Sequence, residues 1–411
     1  MTDAAPTSSS APPGGAPAGP ISGEGTAVAA LSGAARPPVV GWKTFGHPGA
    51  TKLLSRSLET GRLAHAYLIT GPDRVGKRTL AIDMACMVNS EPLADMFGEA
   101  PNIDLRTSHQ AERIRRGIHS DVEVIDPDTE LENDHRPSRP DEDGETRDRQ
   151  TISIEHVRQM IRHTATKPFE GARKVFIFDG AHRMVEAASL ALLKTLEEPS
   201  DDVLIVLTAP TAELLPATVV SRCQVIGLRP VDAGVIESEL IEQFGADEEQ
   251  ARSLSRLARG CPGWAIDALN DPTIIDAHNQ AVLRFAEIVT GNIEERFRYA
   301  RQTGGRFWRD REAVLLEMQR WLEWWRDVAM MRHKLSEIVT NVEWSDLLSE
   351  IAGELKKSQI AAAVTAIQNT RAALEANAVP QLTLEVLMLD LPWVDPAKVP
   401  SLRLDDRQDP G

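Results

Sequence analysis

The sequence predicts a parallel α/β domain followed by an all-helical region. Five short apolar runs, "AHAYLIT", "VEVI", "KVFIFD", "VLIVLT" and "QVIGL", occur in the first 230 residues, most of them separated by helical stretches. Apolar β-runs alternating with helices are the pattern of a parallel sheet covered on both faces. The first run ends directly at a glycine turn that opens a helix, the setting in which a phosphate-binding loop is credible. After about Pro230 the strand-like runs stop and only helical spacing continues, to about residue 391.

Residues 1–38 are rich in Ala, Pro, Gly and Ser. Such a composition cannot bury enough surface to offset the entropy of ordering, so a disordered tail is expected. It also lacks the basic-then-apolar layout of a signal peptide. "HPGATKLLSRSLETGRL" spaces Leu53, Leu54, Leu58 and Leu63 as one helix. "AHAYLIT" is the first strand, and "KRTLAIDMACMVN" the helix after the glycine turn, with Leu80, Met84, Met87 and Val88 on one side. "VEVI" and "KVFIFD" are the next strands, with the helix "SIEHVRQMIRHTA" between them. The stretch 126–150 has almost no apolar residue and many acids, and reads as a solvated, disordered insertion. "MVEAASLALLKTLEE" is a helix before "VLIVLT", and "QVIGL" closes the sheet.

Residues 231–270 read as short helices and 276–391 as longer ones. "EMQRWLEWWRDVAMMRHKL" lines Trp321, Trp325, Val328 and Met331 or Arg332 along one flank. Aromatic side chains can stack on bases. The helical spacing of Trp321, Trp324 and Trp325, with Glu317, Glu323 and Asp327 beside them, favours core or subunit packing instead. The last two helices break around Asn377 to Pro380, and a tail without periodicity starts near Asp395.

At 411 residues, the chain is long enough for two or three domains. A formal charge of −16 argues against coating nucleic acid by bulk attraction. Cys86, Cys223 and Cys261 lie far apart without metal-ligand spacing, so neither a zinc knuckle nor a disulfide framework is indicated. No apolar run approaches membrane-spanning length, and a reduced, cytoplasmic compartment is expected.

The chemistry concentrates at three places. In "TGPDRVGKRTL", Gly71 and Gly76 let backbone amides turn toward phosphate oxygens and Lys77 adds a positive charge. Arg78 stands where a Ser or Thr hydroxyl would hold magnesium, and Thr79 comes one place too late to replace it. The second place is "FIFDGAH". Asp179 ends its strand and could assist a metal or cap the following turn, but Gly180 cannot polarise a water as a Glu there would. His182 reads as a turn histidine. Thr208, also at a strand end, could sense a terminal phosphate or be a satisfied polar group. Gly71, Asp179 and Thr208 should meet in one crevice at the carboxyl ends of the strands. The third is "TVVSRCQVI", where Arg222 precedes the last strand on a segment expected at the surface. An exposed Arg there is open to two readings: part of a solvated face, or a finger inserted into a neighbour's nucleotide site. Weak binding of ATP or ADP is therefore expected, with hydrolysis poorly supported.

"GHPGATKLLSRSLETGRLAHAYLITGP", "SIEHVRQMI", "AASLALLKTLEEPS" and "LPATVVSRC" together resemble the bacterial clamp-loader subunits of DNA polymerase III over about residues 41–230. The likeness continues more weakly through "LARGCPGWAIDAL" and "LEWWRDVAMM" to "LEANAVPQLTLEVLMLDL". It implies a RecA-like AAA+ domain over 39–230, a small helical lid over 231–275, a helical collar over 276–394 that joins a ring, and a tail over 395–411. Motor subunits, gamma or tau, carry a Walker A threonine and an Asp-Glu pair, where this chain has Arg78 and Gly180. It therefore resembles the delta-prime branch, whose Ser-Arg-Cys arginine, here Arg222, acts in trans on a motor subunit. Gly263 and Trp264 stand where motor subunits place a second nucleotide-sensing Arg. The four cysteines that bind zinc in many relatives are missing from the region before "VEVI". His109 and His119 are a weak substitute, so no zinc is expected.

The implied partners are delta, gamma or tau, the sliding clamp indirectly, and primer-template DNA without sequence reading, held through its phosphates. The implied role is a non-catalytic subunit of the polymerase holoenzyme with little or no ATPase of its own. Two alternatives stay open: an active gamma/tau-like ATPase, and a binding module with a vestigial nucleotide pocket. A small-molecule kinase would need an acceptor pocket and a base that are not identifiable.

Overall fold

The structure, a computed structural model, describes residues 30–32, 37–92, 102–131 and 151–402. The chain begins with β1 (Ala30–Ser32), β2 (Val39–Val40), α1 (Pro48–Glu59), β3 (Arg62–Ala64), β4 (Ala66–Thr70) and α2 (Lys77–Asn89). Then come β5 (Ile103–Asp104), α3 (His109–Arg115), β6 (Val122–Ile125), α4 (Ile154–Thr164), β7 (Lys174–Phe178), α5 (Glu186–Glu197), β8 (Val203–Ala209), α6 (Ala217–Val220) and β9 (Gln224–Gly227).

The five apolar runs form one parallel sheet in the order β6-β7-β8-β4-β9. Side chains alternate between its faces, as the two-residue strand period requires. Tyr67, Ile69, Val175, Ile177, Leu204 and Val206 pack with Leu54, Leu80 and Met84 on one face. Leu68, Phe176, Phe178, Ile205 and Leu207 pack with Val157, Met160 and Leu192 on the other. Both faces are covered, which is why these strands read as continuous apolar runs.

Two sequence expectations are corrected in this domain. Leu63 is not in the first helix, which ends at Glu59; it belongs to β3, a three-residue strand too short to show a period. Ala30–Ser32, within the stretch expected to be a structureless tail, pairs antiparallel with β3. Edge pairing uses backbone groups, so composition does not forbid it. A further parallel pair, β2 with β5, was not foreseen. The rest of 1–36, and residues 132–150 of the expected insertion, lie outside the described residues.

The helical part comprises α7 (Ala233–Phe244), α8 (Glu248–Leu257), α9 (Pro262–Asn270), α10 (Pro272–Thr290), α11 (Ile293–Arg306), α12 (Arg311–Arg332), α13 (Ser345–Glu354), α14 (Lys357–Glu375) and α15 (Pro380–Asp390). α7 to α9 enclose a small core of Val231, Ile236, Leu240, Ala251, Leu254 and Ala265. The boundary expected at 275/276 falls inside α10. Its first turn packs Ile274 and Ile275 on this small core, while Val282 and Phe285 enter the larger one beyond. No Gly or Pro follows Pro272 inside the helix to mark a break.

In the larger core Trp321, Trp324 and Trp325 are fully buried, and Trp321 meets Phe285 edge-on with ring centroids 4.9 Å apart. The three indole N–H groups have no hydrogen-bond partner. These rings are core, not a base-stacking surface. Asp327, equally buried, accepts hydrogen bonds from Thr340 N (3.1 Å), Asn341 N (2.9 Å) and Asn341 Nδ2 (2.7 Å). Asn377, in the left-handed region at φ 63°, ends α14 before Pro380 starts α15. The tail expected from Asp395 is held as far as Leu402. Val399 is fully buried, and Ser401 donates to Glu350 through N (3.1 Å) and Oγ (2.8 Å). One apolar side chain amid prolines carries no period, so the sequence hid this anchor.

Candidate functional site

A cavity of about 530 Å³ opens at the carboxyl ends of the sheet strands, where the chain order reverses around β4. Lys77, Arg78 and Thr79 enter it from the first turn of α2, and Gly76 from the turn before. Asp126 enters from the end of β6, Asp179 and Gly180 from the end of β7, Thr208 from β8, and Gly263 from α9. Gly71 lies at the root of the loop, not in the lining. Its amide donates to Pro210 O at 3.0 Å, and a Cβ on it would stand 2.6 Å from Leu228 O, so only glycine lets the loop leave β4 here.

The loop is closed upon itself. Lys77 Nζ donates to Gly71 O (2.7 Å) and Pro72 O (2.8 Å) and sits 3.2 Å from Asp73 Oδ1. The ammonium would have to leave these oxygens to meet a phosphate. Arg74 adopts φ 61°, unusual for a residue with a side chain. α9 meets it there: Gly263 N donates to Arg74 O at 2.9 Å, and Arg74 Nη1 lies 2.6 Å from Asp267 Oδ2. Gly263, where the resemblance would put a sensing Arg, offers the crevice only backbone, while Arg259 points to Glu323 of α12 at 2.8 Å.

Arg78 Nη1 lies 3.0 Å from Asp179 Oδ2 and 3.6 Å from Asp126 Oδ2. The other Asp179 oxygen accepts from Thr208 Oγ1 at 2.7 Å, and Thr208 Oγ1 accepts from Gly180 N at 2.9 Å. Of the readings open for Asp179 and Thr208, the geometry gives a tied network: each is engaged by protein groups. Gly180 has φ 80° and ψ 46°, a left-handed conformation that disfavours any side chain, Glu included. His182 stands in the short turn Ala181–Arg183 at the cavity rim, and Thr79 is exposed on α2. Among the described residues, no group of three or more His, Cys, Asp and Glu side chains converges as a metal site. Burial pushes the Cys86 and Cys223 thiols up to about 12.

Arg222 lies apart from this cavity. It follows α6, donates from Nη1 to Thr218 O at 2.7 Å, and pairs through Nη2 with Glu197 Oε1 at 2.7 Å. Glu197 ends α5. Asp126, Glu197 and the Arg74–Asp267 pair went unrecognised in the sequence. Asp126 did leave a signal, since it ends an apolar run as Asp179 does.

Residues 46–232 match the family model described as "DNA polymerase III, delta subunit". A DNA polymerase III subunit delta' of Bacillus subtilis is 28% identical over 206 residues, 50% of this chain and 54% of that protein. The corresponding subunit of Pseudomonas aeruginosa is 31% identical over 211 residues, 51% of each. DNA polymerase III subunit tau of Escherichia coli is 25% identical over 329 residues, 78% of this chain and 44% of that protein. The chain spans about half the length of the curated relatives it matches. No described helix is long and apolar enough to cross a membrane.

Proposed function

We propose that this chain is a clamp-loader subunit of the delta-prime type, helping to load the sliding clamp on primed DNA while a neighbour spends the ATP, a reading supported by the match of residues 46–232 to the DNA polymerase III family model. The observation that carries this is the Arg78–Asp179 ion pair. A motor subunit needs that Asp and a hydroxyl at position 78 for the metal of its nucleotide. Here both places are taken by a side-chain pair, and Gly180 offers no base. The crevice holds ATP or ADP weakly, if Lys77 is drawn off its loop carbonyls, and hydrolyses it little or not at all.

Arg222 is the group this subunit lends. It lies outside its own cavity, at the surface beyond α6, and so serves a gamma or tau subunit packed against that side. Such fingers act on the charge that develops in phosphoryl transfer and are worth roughly 10³–10⁵ in rate. The far end of the chain supplies an assembly surface. Leu382, Val386 and Leu389 are exposed at spacings of four and three along α15, with exposed Val379 just before the helix and Trp393 just after it. The collar of an adjacent loader subunit, delta or gamma/tau, covers this stripe. Primer-template DNA is contacted inside the ring through phosphates only.

A second reading, an active tau-like motor, is favoured by the similarity to tau across 78% of the chain. Phosphate release from ATP by the isolated chain separates the two. The proposed role predicts a rate at background, unchanged in Lys77→Ala. Steady turnover that Lys77→Ala removes would establish the motor instead.

A further inference from the structure

We infer that Arg78 takes the place of the divalent cation in this crevice, so that the nucleotide it accepts is a metal-free nucleoside di- or triphosphate. The inference rests on the reading that the loop holds nucleotide at all, and it names the form in which it does so.

A phosphate loop of this kind implies magnesium, and the residues present do not fit it. The cation would need an oxygen ligand from the start of α2, yet position 78 carries a guanidinium, which has no lone pair to give. It would then need the strand-end carboxylates. Asp179 has one oxygen on Thr208 Oγ1 and the other on Arg78 Nη1, and Asp126 Oδ2 lies 3.6 Å from the same nitrogen. A magnesium ion at this point would face a fixed positive charge and would have to break the Arg78 pair to gain a ligand. Magnesium also binds mainly through one or two carboxylates, waters and substrate phosphates, so losing the carboxylates leaves it no protein anchor.

The same guanidinium does part of what the cation would do. It sits at the amino end of α2 beside Gly76 and Lys77, within the same cavity as the loop amides. Arginine forks match phosphate oxygens as well as carboxylates, and its charge does not depend on pH. Because Arg78 is about half exposed, its bonds to Asp179 and Asp126 are solvent-screened and can be shared with an incoming phosphate.

Titration of the full chain with a fluorescent ADP analogue, once in EDTA and once in millimolar magnesium, tests this. Wild type should bind with the same affinity, within about twofold, in both buffers. Arg78→Thr and Arg78→Ser should bind at least about tenfold tighter with magnesium than without. Adding Asp179→Asn to Arg78→Thr should abolish that gain, and Arg78→Lys should stay indifferent to the metal. Circular dichroism of each variant guards against loss of fold, and the two hydroxyl variants are independent of one another. Tighter wild-type binding in magnesium overturns the inference, as does a hydroxyl variant that folds and ignores the metal. Absence of wild-type binding in both buffers also overturns it, while leaving the role of Arg222 untouched.

Discussion

Arg222 Nη2 stands 2.7 Å from Glu197 Oε1, so the guanidinium proposed to act on a neighbour is held by its own chain through the end of α5. Both side chains are at least one-third exposed. Such a pair contributes at most about 1 kcal/mol, weak enough to be exchanged when a partner docks. Glu197→Gln should therefore lower stability by less than about 1 kcal/mol in urea unfolding and leave the assembled loader's ATPase intact. If Glu197→Gln silences the assembly as fully as loss of Arg222 does, the pair acts as one structural unit.

Gly180 is held at φ 80° with its amide on Thr208, so installing the missing acid does not create a motor. Gly180→Glu should cost roughly 1–2 kcal/mol from the left-handed backbone and yield no ATP turnover. Phosphate release together with thermal melting checks both halves.

The loop before β7 gives a pH signature. Asp121 receives the amides of Phe169, Glu170 and Gly171 at 2.7–2.8 Å. Glu170 accepts from Ser120 N at 3.0 Å and pairs with Arg113. The Ser120 amide, against some loss of solvation and with help from Arg113, brings Glu170 down to about 2 from its ordinary 4.5. An acid lowered on folding stabilises the native state above its unfolded value and loses that contribution as pH falls through its folded value. Wild type should thus exceed Glu170→Gln in stability at pH above 4.5, with the gap closing toward pH 2. Melting temperatures across that range read it directly; a gap that persists below pH 2 contradicts the assignment.

Asp327 is the polar keystone of the larger helical core, fully buried under three donors of Thr340 and Asn341. Removing it strands those donors in the core. Asp327→Ala should destabilise the larger helical core by roughly 3 kcal/mol or more, seen as an earlier unfolding transition with nucleotide binding unaffected.

The α15 stripe should behave in the opposite way. Leu382→Glu with Leu389→Glu changes exposed positions only, so the isolated chain should melt as wild type does. Co-purification with delta and gamma or tau should be lost. Retained co-purification would place the subunit contact elsewhere.

The sheet was legible in the sequence because its three inner strands, β7, β8 and β4, are buried on both faces and so read as apolar runs. β1, β2, β3 and β5 are two or three residues long and held by backbone pairing, which leaves no trace in side-chain pattern. The α12 tryptophans were readable for the converse reason, since helical spacing survives in a buried helix. At the crevice, sequence could point to Arg78 as a departure but not to its partners. Asp126 and Asp179 are 48 and 101 residues away, and only the order of β6, β7 and β4 in the sheet brings their ends together. Gly180 read as a lost side chain; the structure adds that its backbone conformation disfavours one. Glu197 and Asp121 act through local geometry, a helix end and a loop, which spacing alone does not reveal.

The most direct measurement is DNA- and clamp-stimulated ATP hydrolysis by the loader reassembled with delta, gamma or tau, and either wild-type chain or Arg222→Ala. The assignment of Arg222 as the finger predicts that the substituted subunit assembles normally and that hydrolysis falls sharply, while the isolated chain hydrolyses nothing in either form. An assembly carrying Arg222→Ala that hydrolyses ATP at the wild-type rate would contradict it.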